Sequence, residues 1–341
     1  MANVDFLDYD LEKELIAQHP IYPRDHARLM VFHRNSGRIE HKKFYEIVEY
    51  INPNDCIVIN NSKVLRARFL GKDSKTLGKR EIFLIKYLGV NQWVALTNPN
   101  KKVKVDDLIL INESPYIAVK VLRKENYGEN VVEFLSPLSM EEILNYGEVP
   151  LPPYIKSKAI ESEYQTIYAE LLGSVASPTA GLHFTDELFD KIRDIGARIT
   201  YITLHVGLGT FKPIKVDDLN KHKMHEEEFF ISEESAKIIN ETKRLGGKII
   251  AVGTTTVRTL ETASSREGFL KPMSGYTRLF IKPGYPFKVV DRIVTNFHFP
   301  KTTLIALVSA FAGVELTQKA YRIAISERYR FYSFGDAMLI L

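Results

Sequence analysis

From about Arg66 to Glu133 apolar and polar positions alternate in short runs, EIFLIKYL, QWVALT, LILI, YIAVKVL and NVVEFL, separated by turn phrases such as TNPNKK and ENYGEN. Alternation with period two, rich in Ile, Val, Leu and aromatics, predicts strands; strands this short, broken by Asn, Pro and Gly, favour a closed barrel or sandwich over an open sheet. After this stretch the period lengthens. SMEEILNYG carries Ser139 as an N-cap, Glu142 as its capping-box partner and Gly147 as a stop. Thr185 caps DELFDKIRDIG, which Gly196 ends; RITYITL at 198–204 reads as a strand, SEESAKIINETKRLGG as a helix and KIIAVG as the next strand. CIVIN at 56–60 is apolar throughout, as expected of a strand covered on both faces. The pattern therefore predicts an α/β main domain with an inserted small all-β, barrel-like domain, the first formed by residues 1–65 plus 137–341 and the second by 66–136.

Composition adds bounds. At 341 residues the chain exceeds the size at which one core keeps growing, which agrees with two domains. The single Cys56 excludes an intrachain disulfide. The amino terminus NVDFLDYDLEKE has no cationic stretch followed by an apolar core, so no secretory signal is read and a cytoplasmic location is expected. TTLIALVSAFAGV at 302–314 is shorter than the ~20 apolar residues that span a bilayer, so it predicts a buried helix and no membrane partner. A net charge of +4 is compatible with a polyanionic partner but does not argue for one. The barrel stretch holds many cations, Lys72, Lys101 and Lys124 among them, which suit a phosphate-facing or a merely solvated surface equally.

Candidate chemistry gathers elsewhere. Five of the nine histidines lie between positions 183 and 298, in the phrases PTAGLHFT, TLHVGLGTF, HKMHEEE and TNFHFP. Imidazole titrates near neutrality, so several in loop-like phrases point to proton transfer or metal ligation. In PTAGLHFT, Pro178 fixes a turn, Gly181 frees the backbone and His183 precedes the helix capped by Thr185. In TLHVGLGTF, His205 ends a strand and Gly207, Gly209 and Thr210 follow, a loop shaped for close backbone approach to a ligand. AVGTTTVRTLE places Gly253, Thr254 and Thr255 at a helix N-terminus, a spot that can hold a carboxylate, phosphate or ribose; its plain structural alternative is a helix capped by Thr254 or Thr255 with Arg258 in a surface pair. Neither the Walker lysine pattern nor G-x-G-x-x-G is present. His222, His225 and Glu227 invite a metal reading, but H-x-x-H-x-E is not the helical H-E-x-x-H spacing, so no metal is expected and an acid–base or ribose-binding role is preferred. Asn296 and His298 precede the apolar helix, and in the closing SERYRFYSFGDAMLIL the arginines Arg328 and Arg330 suit phosphate while most of the aromatics suit the core.

Taken together, DYDLEKELIAQHPIYPRDHARL, VINNSKVLRARFLG, LPPYI, YQTIYA, the histidine phrases, AVGTTTVRTLE, FIKPGYPFKVVDRIVTNFHFPKTTL and YRFYSFGDAMLI resemble, end to end, the S-adenosylmethionine:tRNA ribosyltransferase-isomerases of queuosine biosynthesis. Small departures are Asn61-Ser62, Ser177 and Phe334, where the family usually has Asp-Thr, Ala and Tyr. The resemblance implies an α/β domain with a β-barrel insertion. It also implies transfer and isomerisation of the ribosyl group of S-adenosylmethionine, consumed as a substrate, onto 7-aminomethyl-7-deazaguanine at the tRNA wobble position, giving epoxyqueuosine-tRNA, adenine and methionine. A sulfonium acidifies its neighbouring C5′ protons and departing adenine needs a proton, so His183, His205, His225 and Glu227 are the candidates for proton transfer. Thr254, Thr255 and Arg258 are expected to hold ribose or the methionine carboxylate, with Thr179, Gly181, Gly207, Gly209, Thr210, His222, Gly253, Asn296 and His298 completing the substrate contacts. Arg24, Arg66, Arg328 and Arg330 are expected to meet the tRNA, and the protein is expected to act as a monomer. The rival readings are a metal-dependent hydrolase or deaminase, which would hold zinc through His222 and His225, and an RNA-binding module without turnover.

Overall fold

The computed structural model describes residues 4–125, 128–157, 161–207, 213–216 and 218–341. Along the chain, β1 (Arg28–His33), β2 (Arg38–Lys43), β3 (Cys56–Asn60) and β4 (Ser62–Val64) come first. Then follow β5 (Arg68–Asp73), β6 (Lys79–Gly89), β7 (Gln92–Asn98), β8 (Leu108–Asn112), β9 (Ile117–Lys124), β10 (Glu129–Leu135) and the short helix α1 (Met140–Leu144). The remainder is β11 (Leu171–Ser174), α2 (Asp186–Asp194), β12 (Arg198–Leu204), β13 (Glu227–Ile231), α3 (Glu233–Arg244), β14 (Ile249–Val252) and α4 (Thr254–Ala263). It closes with β15 (Met273–Thr277), β16 (Arg292–Asn296), α5 (Thr303–Ala312), α6 (Val314–Ser326) and β17 (Ala337–Ile340). Two units result, Met1–Lys63 with Pro153–Leu341, and Val64–Pro152.

The larger unit is built on a nine-stranded mixed sheet of order β15-β13-β12-β3-β14-β16-β17-β1-β2. Its central strands are apolar on both faces because helices cover both. On β3, Cys56 and Val58 join α3, α4, α5 and α6 through Ala236, Val257, Leu260, Ile305 and Ala320. The alternate residues Ile57 and Ile59 meet α2 through Leu188, Phe189 and Ile192. Each large aliphatic side chain so buried contributes about 1.5–3 kcal/mol, and a one-residue slip would move every one to the wrong face, so the register is firmly set. β12, β3, β14 and β16 run parallel as neighbours. Their carboxyl ends, Leu204, Asn60, Val252 and Asn296, therefore share one edge of the sheet, the edge where α/β folds place ligands.

The second unit is a closed antiparallel barrel of order β10-β7-β6-β5-β8-β9. Phe69 packs edge-on to Phe134 inside it, with ring centroids 5.1 Å apart. Ser139 and Glu142 form the expected capping box on α1. The unit runs to Pro152, beyond the 136 suggested by alternation, because Arg68 and Glu148 exchange backbone hydrogen bonds of 3.1 and 2.7 Å. Several of its cations are paired: Arg80 with Asp73, Lys120 with Asp106 and Arg123 with Glu125. Among the described residues no helix is long and apolar enough to cross a membrane; the 302–314 stretch forms the buried α5.

Candidate active site

The carboxyl edge of the parallel strands opens into a cleft lined by Ser177–Ala180, Val206, Gly253–Thr255, Thr295–Phe299, Leu304, Tyr154, Tyr332 and Ser333. Six separate chain segments meet here. The first is the start of α4. Its N-cap is Gly253, at φ 87, and not Thr254 or Thr255 as the sequence suggested; a left-handed backbone favours glycine, and it turns the chain so that both threonines stand inside the helix. No side-chain cap bond closes that end among the described residues, and Gly253, Thr254 and Thr255 line the cleft. Asn60 at the end of β3 ties the strands together: its amide donates to Leu204 O at 3.0 Å and lies 3.4 Å from Thr255 Oγ1, while its oxygen accepts from Leu204 N and Ser62 N.

The second segment, after β16, supplies Asn296 and His298. His298 Nε2 is 2.8 Å from Thr295 Oγ1, its N–H donates to Tyr321 OH, and its carbonyl accepts from Tyr9 OH. Desolvation of the half-buried ring pushes its imidazole down to about 3. His183, from the 3-10 turn at Thr179–His183, is likewise pushed down to about 3, by burial first and then by Arg330 and Arg24. Its Nε2 is 3.3 Å from Asn296 Nδ2 and its ring stacks on Phe44 at 4.9 Å. The expectation that these imidazoles titrate near neutrality is thus corrected for His183 and His298: hydrophobic enclosure disfavours the cation, and both act at pH 7 as neutral hydrogen-bonding groups. Burial also lowers His205, with Glu228 opposing. Its ring lies on Gly173, where a Cβ would come within 2.6 Å of Cε1, and its buried Nδ1 has no hydrogen-bond partner among the described residues.

Next to His205 in the chain, Gly207 N–H donates to Glu227 Oε1 at 2.9 Å, and Glu227 Oε2 accepts from Arg258 Nη1. Arg258 and Glu227 are 4 % and 4 % exposed, so the surface pair imagined for Arg258 is instead a buried one that fastens α4 to β13 and to the loop leaving β12. With both oxygens engaged, Glu227 is placed to hold that loop. Arg258 Nε also donates to Leu279 O at 3.1 Å, leaving Nη2 without a partner.

An aromatic wall closes the cleft, and sequence reasoning missed it. Phe299 and Tyr332 stack at 3.4 Å, and Tyr154 packs against them at 4.8 and 5.1 Å. Tyr332 has φ 71, a conformation uncommon outside glycine; its N–H to Phe297 O and its carbonyl, which accepts from Asn296 Nδ2, hold it there. The only hint in the sequence was the aromatic spacing of YRFYSFGD.

Other expected site residues fall differently. Thr179 lines the cleft and its hydroxyl is 3.4 Å from Asn296 Oδ1. At Gly181 a Cβ would lie 1.8 Å from Tyr168 OH, so its missing side chain leaves room for that tyrosine. His222 packs edge-on to Phe280 at 5.2 Å, and His225 is exposed. Among the described residues no group of three or more His, Cys, Asp or Glu is arranged to hold a metal ion. Arg24 donates to the Gln165 and Ser162 carbonyls, Arg330 to the His19 carbonyl, Arg66 to the Asn145 carbonyl within the barrel unit, and the exposed Arg328 pairs with Glu12. Gly209 and Thr210 lie outside the described residues.

An α/β sheet with a half-enclosed cleft at the ends of its parallel strands, walled by aromatics and floored by a helix N-terminus, defines a small-molecule enzyme of the α/β class. The chain matches the family model of queuosine biosynthesis proteins over residues 4–340, and it belongs to that family. It is 51% identical over 334 residues to the S-adenosylmethionine:tRNA ribosyltransferase-isomerase of Acetivibrio thermocellus, covering 97% of this chain and 98% of the relative. It is 48% identical over 335 residues to the enzyme of the same name from Thermoanaerobacter, covering 98% of each. The crystal structure of S-adenosylmethionine tRNA ribosyltransferase from Thermotoga maritima is similar at 39% identity and a TM-score of 0.58, covering 98% of this chain and 100% of that one.

Proposed function

We propose that the protein transfers and isomerises the ribosyl group of S-adenosylmethionine onto 7-aminomethyl-7-deazaguanine at the wobble position of tRNA, releasing adenine and methionine and leaving epoxyqueuosine. The observation that carries the reading is the meeting of an uncapped helix N-terminus, Asn296 and the Tyr154–Phe299–Tyr332 wall around one cleft, in a chain whose full-length relatives bear that enzyme name. Aromatic faces attract a sulfonium cation, and N–H groups with threonine hydroxyls suit ribose oxygens or a carboxylate. The attacking amine belongs to the modified base, so no protein nucleophile is needed.

Two protons must move: one leaves the carbon beside the sulfonium, and one reaches the departing adenine. His205, adjacent in sequence to the cleft residue Val206 and carrying an unpartnered Nδ1, is the base we place first, with His225 second. His183 and His298 hold Asn296 and the Thr295 hydroxyl as neutral imidazoles. Arg328, exposed, is the arginine best placed to meet phosphate; Arg24 and Arg330 hold loops through backbone carbonyls. Incubation with S-adenosylmethionine and tRNA bearing the aminomethyl base, with adenine release and nucleoside mass followed, tests the reading. Release that depends on that base and persists in chelator is expected. No release, or release restored only by zinc, defeats it.

A further inference from the structure

At and behind the floor of the cleft lie hydroxyl groups that have nothing to bond among the described residues. Ser177 is 3 % exposed and its Oγ, in the cleft lining, has no hydrogen-bond partner among the described residues; the Tyr164 hydroxyl, on a side chain 0 % exposed, has none among them either. Tyr164 has Tyr154, Ser333 and the Ser177 backbone as its polar neighbours, and burial raises its hydroxyl well above the ordinary tyrosine range. Tyr154 OH and Ser333 Oγ are 2.5 Å apart and share the same lining. Four hydroxyls from three stretches of chain thus converge in one enclosed spot, two of them unsatisfied. A buried hydroxyl without a partner is costly in isolation, and unsatisfied polar groups of this kind are uncommon in native interiors. A cluster of them beside a cleft is an imprint of an absent polar group.

The chemistry of that group follows from the cluster. All four side chains are uncharged and each hydroxyl both donates and accepts, so they suit a neutral edge that alternates donors and acceptors better than a carboxylate. Tyr154 belongs to both features: its ring is part of the wall with Phe299 and Tyr332, and its hydroxyl is part of the cluster. A flat ligand lying along that wall would bring its edge to the hydroxyls.

We propose that Ser177 and Tyr164, with Tyr154 and Ser333, form a hydrogen-bonding subsite for the polar edge of the purine of the ribosyl donor, whose ring lies along the Tyr154–Phe299–Tyr332 wall. This rests on the proposed use of S-adenosylmethionine. Each of Ser177→Ala and Tyr164→Phe removes one hydroxyl without changing the cavity walls. Calorimetric titration with S-adenosylmethionine, free adenine and methionine is expected to show both nucleobase-bearing ligands weakened about 5- to 10-fold in each variant, with methionine unaffected. The melting temperature of the ligand-free protein should hold or rise, because an unsatisfied group has gone. Unchanged adenine affinity in both variants, or weakening of methionine alone, overturns the subsite, as does a fall in ligand-free melting temperature that accounts for the lost affinity. If the wild-type protein binds neither S-adenosylmethionine nor adenine, it is the proposed reaction that fails.

Discussion

Each unit buries an arginine against a carboxylate, and the two pairs differ in what surrounds them. In the barrel, Asp73 accepts from Arg80 Nη2 at 3.0 Å and from the N–H groups of Lys75 and Thr76, so the carboxylate is saturated within one hairpin. In the α/β unit, Glu227 and Arg258 join α4, β13 and the loop after His205, and Arg258 keeps one Nη2 unbonded. Among the described residues the unpartnered hydroxyls, Tyr164, Thr166, Tyr168 and Ser177 among them, lie in the α/β unit, whereas an unbonded arginine nitrogen occurs in both units, Arg80 Nε in the barrel and Arg258 Nη2 in the other. Polar saturation marks a part that only has to stand; polar deficit marks a part made to receive something.

The largest effects should come from the ion pairs. Arg258→Met should cost about 3–5 kcal/mol of stability, since it strands a buried carboxylate, and Arg80→Met should cost less, since Asp73 keeps the N–H groups of Lys75 and Thr76. The second substitutions Glu227→Leu and Asp73→Leu should recover much of that loss, by chemical denaturation, in either unit. Adenine release should return only for the barrel pair. Recovery of turnover in the Arg258→Met/Glu227→Leu protein would erase the distinction between the two.

Gly181→Ala should destabilise by about 1–3 kcal/mol, the usual range for overpacking, and Tyr168→Phe in the same chain should relieve it. If the double variant instead stays destabilised and loses S-adenosylmethionine binding, Gly181 belongs with the ligand after all. Acid should weaken the α/β unit through its imidazoles. His183 and His298 sit at about 3 when folded and near 6.5 when unfolded, so the unfolded chain binds more protons between those values. Stability is then full above pH 6.5 and falls as pH drops towards 3, by on the order of 1 kcal/mol per pH unit for each ring. Replacing His298 by Gln should flatten the slope of melting temperature against pH between 6 and 4; an unaltered slope would show that the ring is not enclosed. Smallest, Thr255→Val should weaken S-adenosylmethionine by roughly 1 kcal/mol, about fivefold, with tRNA affinity unchanged. Weakening of tRNA alone would move the start of α4 to the RNA face.

The elements read from the sequence were those in which one physical signal dominated. CIVIN, RITYITL and KIIAVG are strands because both-face burial demands unbroken apolar runs, and Ser139, Thr185 and Ser232 cap their helices through side-chain oxygens. Alternation misses β2 (RIEHKK) and β5 (RFLGKD), whose charges belong to exposed or paired positions, and misses β13 (EEFFI), where a buried glutamate opens the strand. In the site, the start of α4 and the residues Asn296 and His298 were legible as polar groups before helices. The wall was not: Tyr154, Phe299 and Tyr332 come from distant stretches, and only the fold makes them neighbours. Nor can a sequence show that an imidazole is desolvated; the phrases around His183 and His298 look like loops, yet the His183 ring is buried and the His298 ring half-buried.

The hairpin of β1 and β2 attaches to the sheet through β17, which lies between β1 and β16. Arg28 N–H and Asp336 Oδ1, 308 residues apart, mark that seam. During synthesis the hairpin therefore leaves the ribosome long before its neighbour exists, and its apolar residues Leu29 to Phe32 have no sheet to join. Contacts so distant in sequence fold late. The sheet thus stays unfinished until β17 is made, and the hairpin's strands must stay soluble until it arrives to join them to it.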